Sequence, residues 1–248
     1  MNILFTICGR GGSKGVKNKN IRPFLGKPLF QHTVCAINCY IQEYQTIDES
    51  YDIIISTDSS EFLQMAENQG DHLTRLRPAE LAQDASPKMP AILDAVRSAE
   101  KQTKKKYQHV IDLDITSPIR TVKEIRNAFD KKIEKPEIDV VYSVVPARRN
   151  PYFNMIKKEG DSYTRVISSD VLVRQEAPEC YDMNASIYVY DIDFLASGAK
   201  HPLDGRSDII LMKDLGVIDI DSEEDFEMMV WIAERLKNTH EEYRKIFS

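Results

Sequence analysis

The sequence predicts an α/β fold: a mainly parallel sheet with helices on both faces. Three observations carry this. Short apolar runs recur at residues 2–8, 52–56, 109–113 and 139–145. Helical patterns at 29–41, 59–68, 90–103 and 121–133 alternate with them. The runs are continuous rather than alternating, as expected of strands buried on both faces.

Each element has a local reason. Pro28 opens the segment 29–41, where a missing N–H costs nothing. Ser59 or Ser60 caps the next helix and Gly70 stops it. Thr121 with Glu124 three residues on is a capping box for 121–133. From 146 to 182 the chain turns polar, with hairpin-like pieces around Gly160 and no long helical pattern. Strand patterns return at 185–190 and 216–220, and a last helix at 222–237. The expectation is one domain over residues 1–248, with 146–182 an inserted arm too open to bury itself and therefore packed on a second copy, giving a homodimer.

Composition excludes several classes. The 248 residues carry a net charge of −6, with 42% hydrophobic and 29% charged residues, ordinary for a globular protein. The acidic excess argues against nucleic acid as a partner. No apolar stretch approaches membrane-span length, and no signal-peptide layout opens the chain, so a cytoplasmic protein without membrane contact is expected. Cys8, Cys35, Cys39 and Cys180 form no CxxC pair and read as free thiols. The basic run at 101–106 reads as a solvated helix end.

The loop after the first strand is the place to seek a ligand, because open α/β sheets bind beyond the carboxyl ends of their strands. CGRGGSKGVKNKN spans residues 8–20. Gly9, Gly11, Gly12 and Gly15 let backbone N–H groups approach a ligand, while Arg10, Lys14 and Lys19 supply charge. Together they describe a triphosphate cradle; the plainer reading is a flexible basic turn. The order Ser13-Lys14-Gly15 is not that of a Walker A loop, which excludes a P-loop switch protein, and the spacing is not GxGxxG. Near the other end, Asp219 and Asp221 flank Ile220. On a strand, both carboxylates would share one face, a hard-oxygen pair suited to Mg²⁺. Asp221 is also placed to favour the N-terminus of the last helix.

These blocks resemble the acylneuraminate cytidylyltransferases, the CMP-sialic acid synthetase family. The similarity runs through Arg10-Gly11-Gly12-Ser13-Lys14-Gly15, Lys19-Asn20-Ile21 and Gly26-Lys27-Pro28-Leu29. It continues through Ser56-Thr57-Asp58, Arg77-Pro78-Ala79-Glu80-Leu81-Ala82, Thr116-Ser117-Pro118-Ile119-Arg120 and Asp219-Ile220-Asp221, in family order. The resemblance implies a Rossmann-like nucleotidyltransferase fold and a reaction of CTP with a nonulosonic acid, giving the CMP-sugar and pyrophosphate. It implies Lys14, Asp219 and Asp221 as catalytic, the two aspartates holding Mg²⁺. It implies nucleotide contacts from Arg10, Gly11, Gly12, Ser13, Lys14, Lys19, Asn20 and Arg77, although an Arg-Pro turn at Arg77 has a structural reading too. Arg174, Gln175, Tyr181 and Asn184 fall in the sugar-facing region, and Arg148, Arg149 and Arg165 are arm cations of the kind that reaches a neighbouring site.

The departures gather on the sugar side. The family's alanine before the arginine is Gly9, expected to be harmless. Asp114 stands where relatives carry a sugar-facing glutamine, so an acceptor-only carboxylate replaces an amide. Residues 84–88 replace a Thr/Ser-rich run, and Tyr181-Asp182-Met183-Asn184-Ala185-Ser186 replaces an FRPNG-like stretch. The DLD, ARRNPYFN and CYDMNASIY strings are similar to those of the bacterial subgroup that activates legionaminic acid, so N,N'-diacetyllegionaminic acid is the expected sugar. N-acetylneuraminate, pseudaminate or a sugar 1-phosphate as substrate, or a non-catalytic sugar-nucleotide-binding protein, are the alternatives.

Overall fold

The computed structural model describes residues 1–12, 15–213, 215 and 219–248. Its centre is a seven-stranded sheet. β1 (Asn2–Cys8), β4 (Ser50–Thr57), β5 (Leu73–Leu76) and β6 (His109–Leu113) make one half, and β7 (Val140–Pro146), β10 (Tyr181–Asp191) and β11 (Ser207–Leu211) the other. The spatial order is β11-β7-β10-β6-β1-β4-β5. All neighbours are parallel except β10, which runs antiparallel to both β6 and β7. The mainly parallel sheet is as the apolar runs required.

Helices cover both faces. On one lie α1 (Leu29–Tyr44), α2 (Ser60–Glu67), α4 (Val122–Glu134), α6 (Glu223–Thr239) and α7 (Glu241–Phe247), packing Leu29, Phe62, Phe129 and Phe226 against Ile3, Phe5 and Ile7 of β1. On the other lie α3 (Lys88–Thr103) and α5 (Ile192–Ala196), with Ile92, Val96 and Leu195 against Leu4, Ile54 and Val110. Ile3 through Ile7 are therefore buried on both sides, which is why their run shows no polar alternation. Caps fall where the sequence placed them. Ser59 Oγ accepts from Phe62 N, and Thr121 and Glu124 form a reciprocal capping box. A second box, Ser222 with Asp225, starts α6.

The short elements were not anticipated. β5 and β11 are four- and five-residue edge strands, β2 (Pro23–Phe24) and β3 (Lys27–Pro28) form a two-residue hairpin, and α5 and α7 are too brief to show a period. The strand expected at 185–190 extends over eleven residues, beginning at Tyr181. It carries a bulge between Met183 and Tyr188, with Ala185 at φ +54°. Of the strand expected at 216–220, residues 216–218 lie outside the described residues and Asp219-Ile220 are not strand. Ile220 is nonetheless buried and its N–H bonds Thr116 O at 3.2 Å, so it anchors the segment as a strand residue would.

The expected arm is shorter than 146–182, since Pro146 ends β7 and Tyr181 and Asp182 begin β10. Between them β8 (Ile156–Glu159) and β9 (Ser162–Arg165) pair in a hairpin, turned by Gly160 at φ +62°. Ile156, Tyr163 and Leu172 stand 64%, 67% and 78% exposed there, far above what an apolar side chain in a packed hairpin shows.

Candidate active site

A cleft of about 430 Å³ opens beyond the carboxyl ends of β1 and β6. Its lining brings together residues from distant parts of the chain: Arg10, Lys19 and Asn20 from the opening loop, Arg77 after β5, Asp114 after β6, and Asp219 with Asp221 before α6.

The loop is held from below. Gly9 N donates to Ser56 O (3.0 Å) and Gly11 N to the Asp58 carboxylate (2.9 Å). Asn20, almost wholly buried, donates its amide to Arg10 O at 2.8 Å. Asn18 turns the chain toward it at φ +53°. Gly9 is closely packed: a Cβ there would sit 2.7 Å from Ile115 Cδ1 and Phe62 Cε1, so those side chains would have to shift. Gly12 lines the cleft and faces open space, whereas Gly11 packs on Ser59 and is not among the lining residues. Ser13 and Lys14, the centre of the expected cradle, lie outside the described residues.

Loop and acidic segment touch directly. Lys19 Nζ donates to Ile220 O and stands 3.3 Å from the Asp221 carboxylate. A Cβ at Gly15 would fall 1.7 Å from Asp221 O. Asp219 is largely buried, and its Oδ1 has no hydrogen-bond partner among the described residues. Burial first, then the nearby Asp114 charge, raises its carboxyl above the ordinary range. A buried carboxylate oxygen without a donor, beside a second carboxylate facing the same cleft, fits a hard divalent cation.

Arg77 is fixed as a structural group and also lines the cleft. Its Nε and Nη2 donate to Ser56 Oγ (3.2 Å) and Ser56 O (2.8 Å), stitching the ends of β4 and β5. Arg10 pairs with Asp84 at 3.2 Å across the mouth.

The floor holds a cluster that the sequence reading missed. Lys88, first residue of α3, places its ammonium 2.8 Å from Asp112 Oδ2 and 2.6 Å from Asp114 Oδ2. Asp112 is completely buried, and Thr6 Oγ1 donates to its other oxygen at 2.7 Å. Thr116 donates to Asp114 Oδ1 through both N and Oγ1, at 2.9 and 2.8 Å. Burial disfavours charge at Lys88, but the two carboxylates outweigh it and hold its pKa well above that of a free lysine. Burial likewise opposes ionisation of Asp114, and Lys88 with the Thr116 bonds drives its carboxyl far below the usual range. Asp114 is thus not the free acceptor the sequence implied. A signal existed: Asp112 and Asp114 alternate around Leu113, the pattern that drew notice to Asp219 and Asp221.

The remaining sugar-side residues do not line this cleft. Asn184 is buried, accepting from Ser143 Oγ at 2.6 Å and donating to Met212 Sδ, so its amide is committed to the bulge of β10. Tyr181 OH donates to Glu179, and Arg174 reaches Ala147 O; both stand with Gln175 on the exposed arm side. Cys8, at the end of β1, is pushed up to about 12 by burial and by Asp112, an inert thiol.

A doubly wound sheet whose strand ends carry a glycine-rich basic loop and facing carboxylates defines a nucleotide-handling enzyme. The cytidylyltransferase family model matches residues 4–230, and the chain belongs to that family. It is 36% identical over 231 residues to post-translational flagellin modification protein B of Campylobacter coli, covering 93% of this chain and 94% of the relative. It is also 36% identical over 237 residues to CMP-N,N'-diacetyllegionaminic acid synthase of Campylobacter jejuni, covering 95% and 96%. Among solved structures, CMP:2-keto-3-deoxy-manno-octonic acid synthetase complexed with CTP shares the fold at TM-score 0.67 and 14% identity, covering 95% of this chain and 99% of that one.

Proposed function

We propose that this enzyme joins CTP to a nonulosonic acid, N,N'-diacetyllegionaminic acid, releasing pyrophosphate and the CMP-sugar. The observation carrying this is the similarity over nearly the whole chain to a CMP-N,N'-diacetyllegionaminic acid synthase, in a chain whose glycine-rich basic loop contacts its acidic segment.

The reaction places the sugar's anomeric hydroxyl against the α-phosphorus of CTP, with pyrophosphate leaving. Negative charge builds on the phosphate oxygens, so the enzyme's task is positioning and charge stabilisation. In this reading Arg10 and Lys19, with Ser13 and Lys14 between them, bind the triphosphate beside the loop backbone at Gly12, while Gly11, its N–H held by Asp58, fixes the loop from behind. Asn20 and Arg77 hold the loop and the end of β4 in register for the nucleoside. Asp219 and Asp221 would hold Mg²⁺, which when bound offsets charge on the phosphate oxygens. Lys19, bonded to Ile220 O, ties the triphosphate loop to that acidic segment.

The arm completes the proposal. Its exposed Ile156, Tyr163 and Leu172 fit a homodimer contact, which would carry Arg174, Gln175, Tyr181 and the arm arginines toward a second copy's sugar pocket. No helix of the described residues is long and apolar enough to cross a membrane; a cytoplasmic place of work is part of the proposal.

The test is a panel of nonulosonic acids with CTP and Mg²⁺, scored by CMP-sugar and pyrophosphate. The diacetamido acid is expected to exceed N-acetylneuraminate in kcat/KM by at least about tenfold, roughly 1.4 kcal/mol of transition-state binding. A preference for N-acetylneuraminate or pseudaminate overturns the choice of sugar. Absence of any CMP-sugar overturns the reaction.

A further inference from the structure

The residues around the cleft do not present free positive charge. Among the described residues, four cations line it, Arg10, Lys19, Arg77 and Lys88, against four carboxylates, Asp84, Asp114, Asp219 and Asp221. Each cation already meets an acceptor of the protein. Arg77 is almost wholly buried and bonds Ser56 Oγ and Ser56 O. Lys88 lies 2.8 Å from Asp112 and 2.6 Å from Asp114. Lys19 donates to Ile220 O and pairs with Asp221. Arg10 donates through Nη1 to Asp84 Oδ1 at 3.2 Å. A polyanion that uses these cations must therefore take at least one of them from a partner.

The pairs differ in how readily they part. Parting Arg77 or Lys88 from its acceptors leaves polar groups unpaired where water reaches poorly. The side chains of Arg10 and Asp84 are 40% and 55% exposed, so water can take the place of either partner, and ion pairs of this kind are weak. The exchange also needs little of the backbone. Arg10 O is held by the Asn20 amide at 2.8 Å and Gly11 N by Asp58 at 2.9 Å, so the guanidinium can swing while its loop stays in place. Asp84 is the second residue of a turn closed by Ser86 N on Gln83 O at 3.0 Å, and Ser86 Oγ ties that turn to Glu80 O at 2.9 Å. The turn thus presents a carboxylate to Arg10 at the rim of the cleft.

We propose that Asp84 is a built-in competitor for the triphosphate: it occupies Arg10, yields it to the incoming phosphates, and recaptures it as pyrophosphate leaves. This rests on the functional reading above and goes beyond it. A guanidinium offers the same forked set of donors to a carboxylate and to a phosphate, so the exchange keeps Arg10 paired at every stage. The competition weakens binding of any ligand that needs Arg10, by the fraction of protein in which Asp84 holds it. It acts on CTP and on pyrophosphate alike, and so opposes retention of the leaving group.

The experiment measures the Kd of CTP by calorimetry with Mg²⁺ and no sugar, and inhibition of the full reaction by pyrophosphate. The proteins are wild type, Asp84→Asn, Arg10→Gln and the double variant. Asp84→Asn is expected to bind CTP about two- to fivefold more tightly, the range of an exposed ion pair, with pyrophosphate inhibiting at a correspondingly lower concentration. In the Arg10→Gln background the same change gives a distinctly smaller factor, because the competed group is gone. Asp84→Ser is the second variant should Asp84→Asn not fold. An equal factor in both backgrounds overturns the inference, since the carboxylate would then act only through the general field of the cleft. Unchanged or weaker CTP binding in the Asp84 variants overturns it as well. Failure of the wild type to bind CTP overturns the functional reading, and this inference with it.

Discussion

Replacing Gly15 by alanine tests whether loop and acidic segment work as one unit. The Cβ would stand 1.7 Å from Asp221 O, whereas real Cβ atoms keep at least 3.0 Å from such neighbours, so the two backbones must part by more than about 1 Å. The obstacle is a main-chain carbonyl, which cannot rotate aside as a side chain would. Lys19 loses register with Ile220 O as the gap opens, and Asp221 shifts away from the phosphates. A displacement of this size at a phosphoryl-transfer centre costs about 10²-fold in rate. The penalty to folding is held to about 1–3 kcal/mol of local overpacking, too little to unfold the domain, because Gly15 is exposed and its neighbour is a loop. The assay is pyrophosphate release at saturating sugar, with thermal melting of the same samples. A Gly15→Ala enzyme with near wild-type kcat/KM would refute the coupling. So would a loss of activity fully matched by loss of folded protein.

Three other outcomes are expected. Asp221→Ala abolishes turnover and Asp219→Ala severely impairs it, and neither variant is stabilised against heat by Mg²⁺ as the wild type is; retention of that Mg²⁺-dependent shift in both would remove the metal assignment. Asp112→Ala destabilises the fold by about 1–3 kcal/mol in urea titration, since it leaves the buried Thr6 hydroxyl without its acceptor while Lys88 keeps Asp114; no measurable change contradicts the buried-bond picture. Sedimentation at micromolar concentration gives a dimer, and deletion of residues 147–180 gives a monomer or an aggregate; a monomer from the intact chain counts against the arm.

How far the sequence carried depends on the kind of signal. β1, β6 and β7 were evident because a strand buried on both faces is mostly apolar rather than alternating. Thr121 and Ser59 marked helix starts because a cap needs a specific oxygen at a specific step. What stayed hidden had no periodicity to read. The direction of β10 is not encoded in its own pattern, since Ile187 and Val189 look the same whichever way the strand runs. In the site, Arg10, Lys19, Asn20, Asp219 and Asp221 were marked by local motifs, and they meet in one cleft. Lys88 lay hidden because its meaning comes from partners 24 and 26 residues away, on the next strand and just beyond it. Asn184, placed on the sugar side by the family resemblance alone, is buried with its amide bonded to Ser143 and Met212, partners that no local pattern announces.

The place of β10 between β6 and β7 bears on synthesis of the chain. As the polypeptide leaves the ribosome, residues 1–113 supply β6, β1, β4 and β5, enough for four adjacent strands to assemble. β7 follows at 140–146 but has no neighbour to join, because its partners β10 and β11 are not yet made. Until residue 191 emerges, β6 keeps an open edge and β7 waits apart, both strongly apolar. At about 5–20 residues per second that interval lasts several seconds. The protein's most aggregation-prone moment is therefore set by the order in which its strands are translated, and slow codons between 146 and 181 would lengthen it.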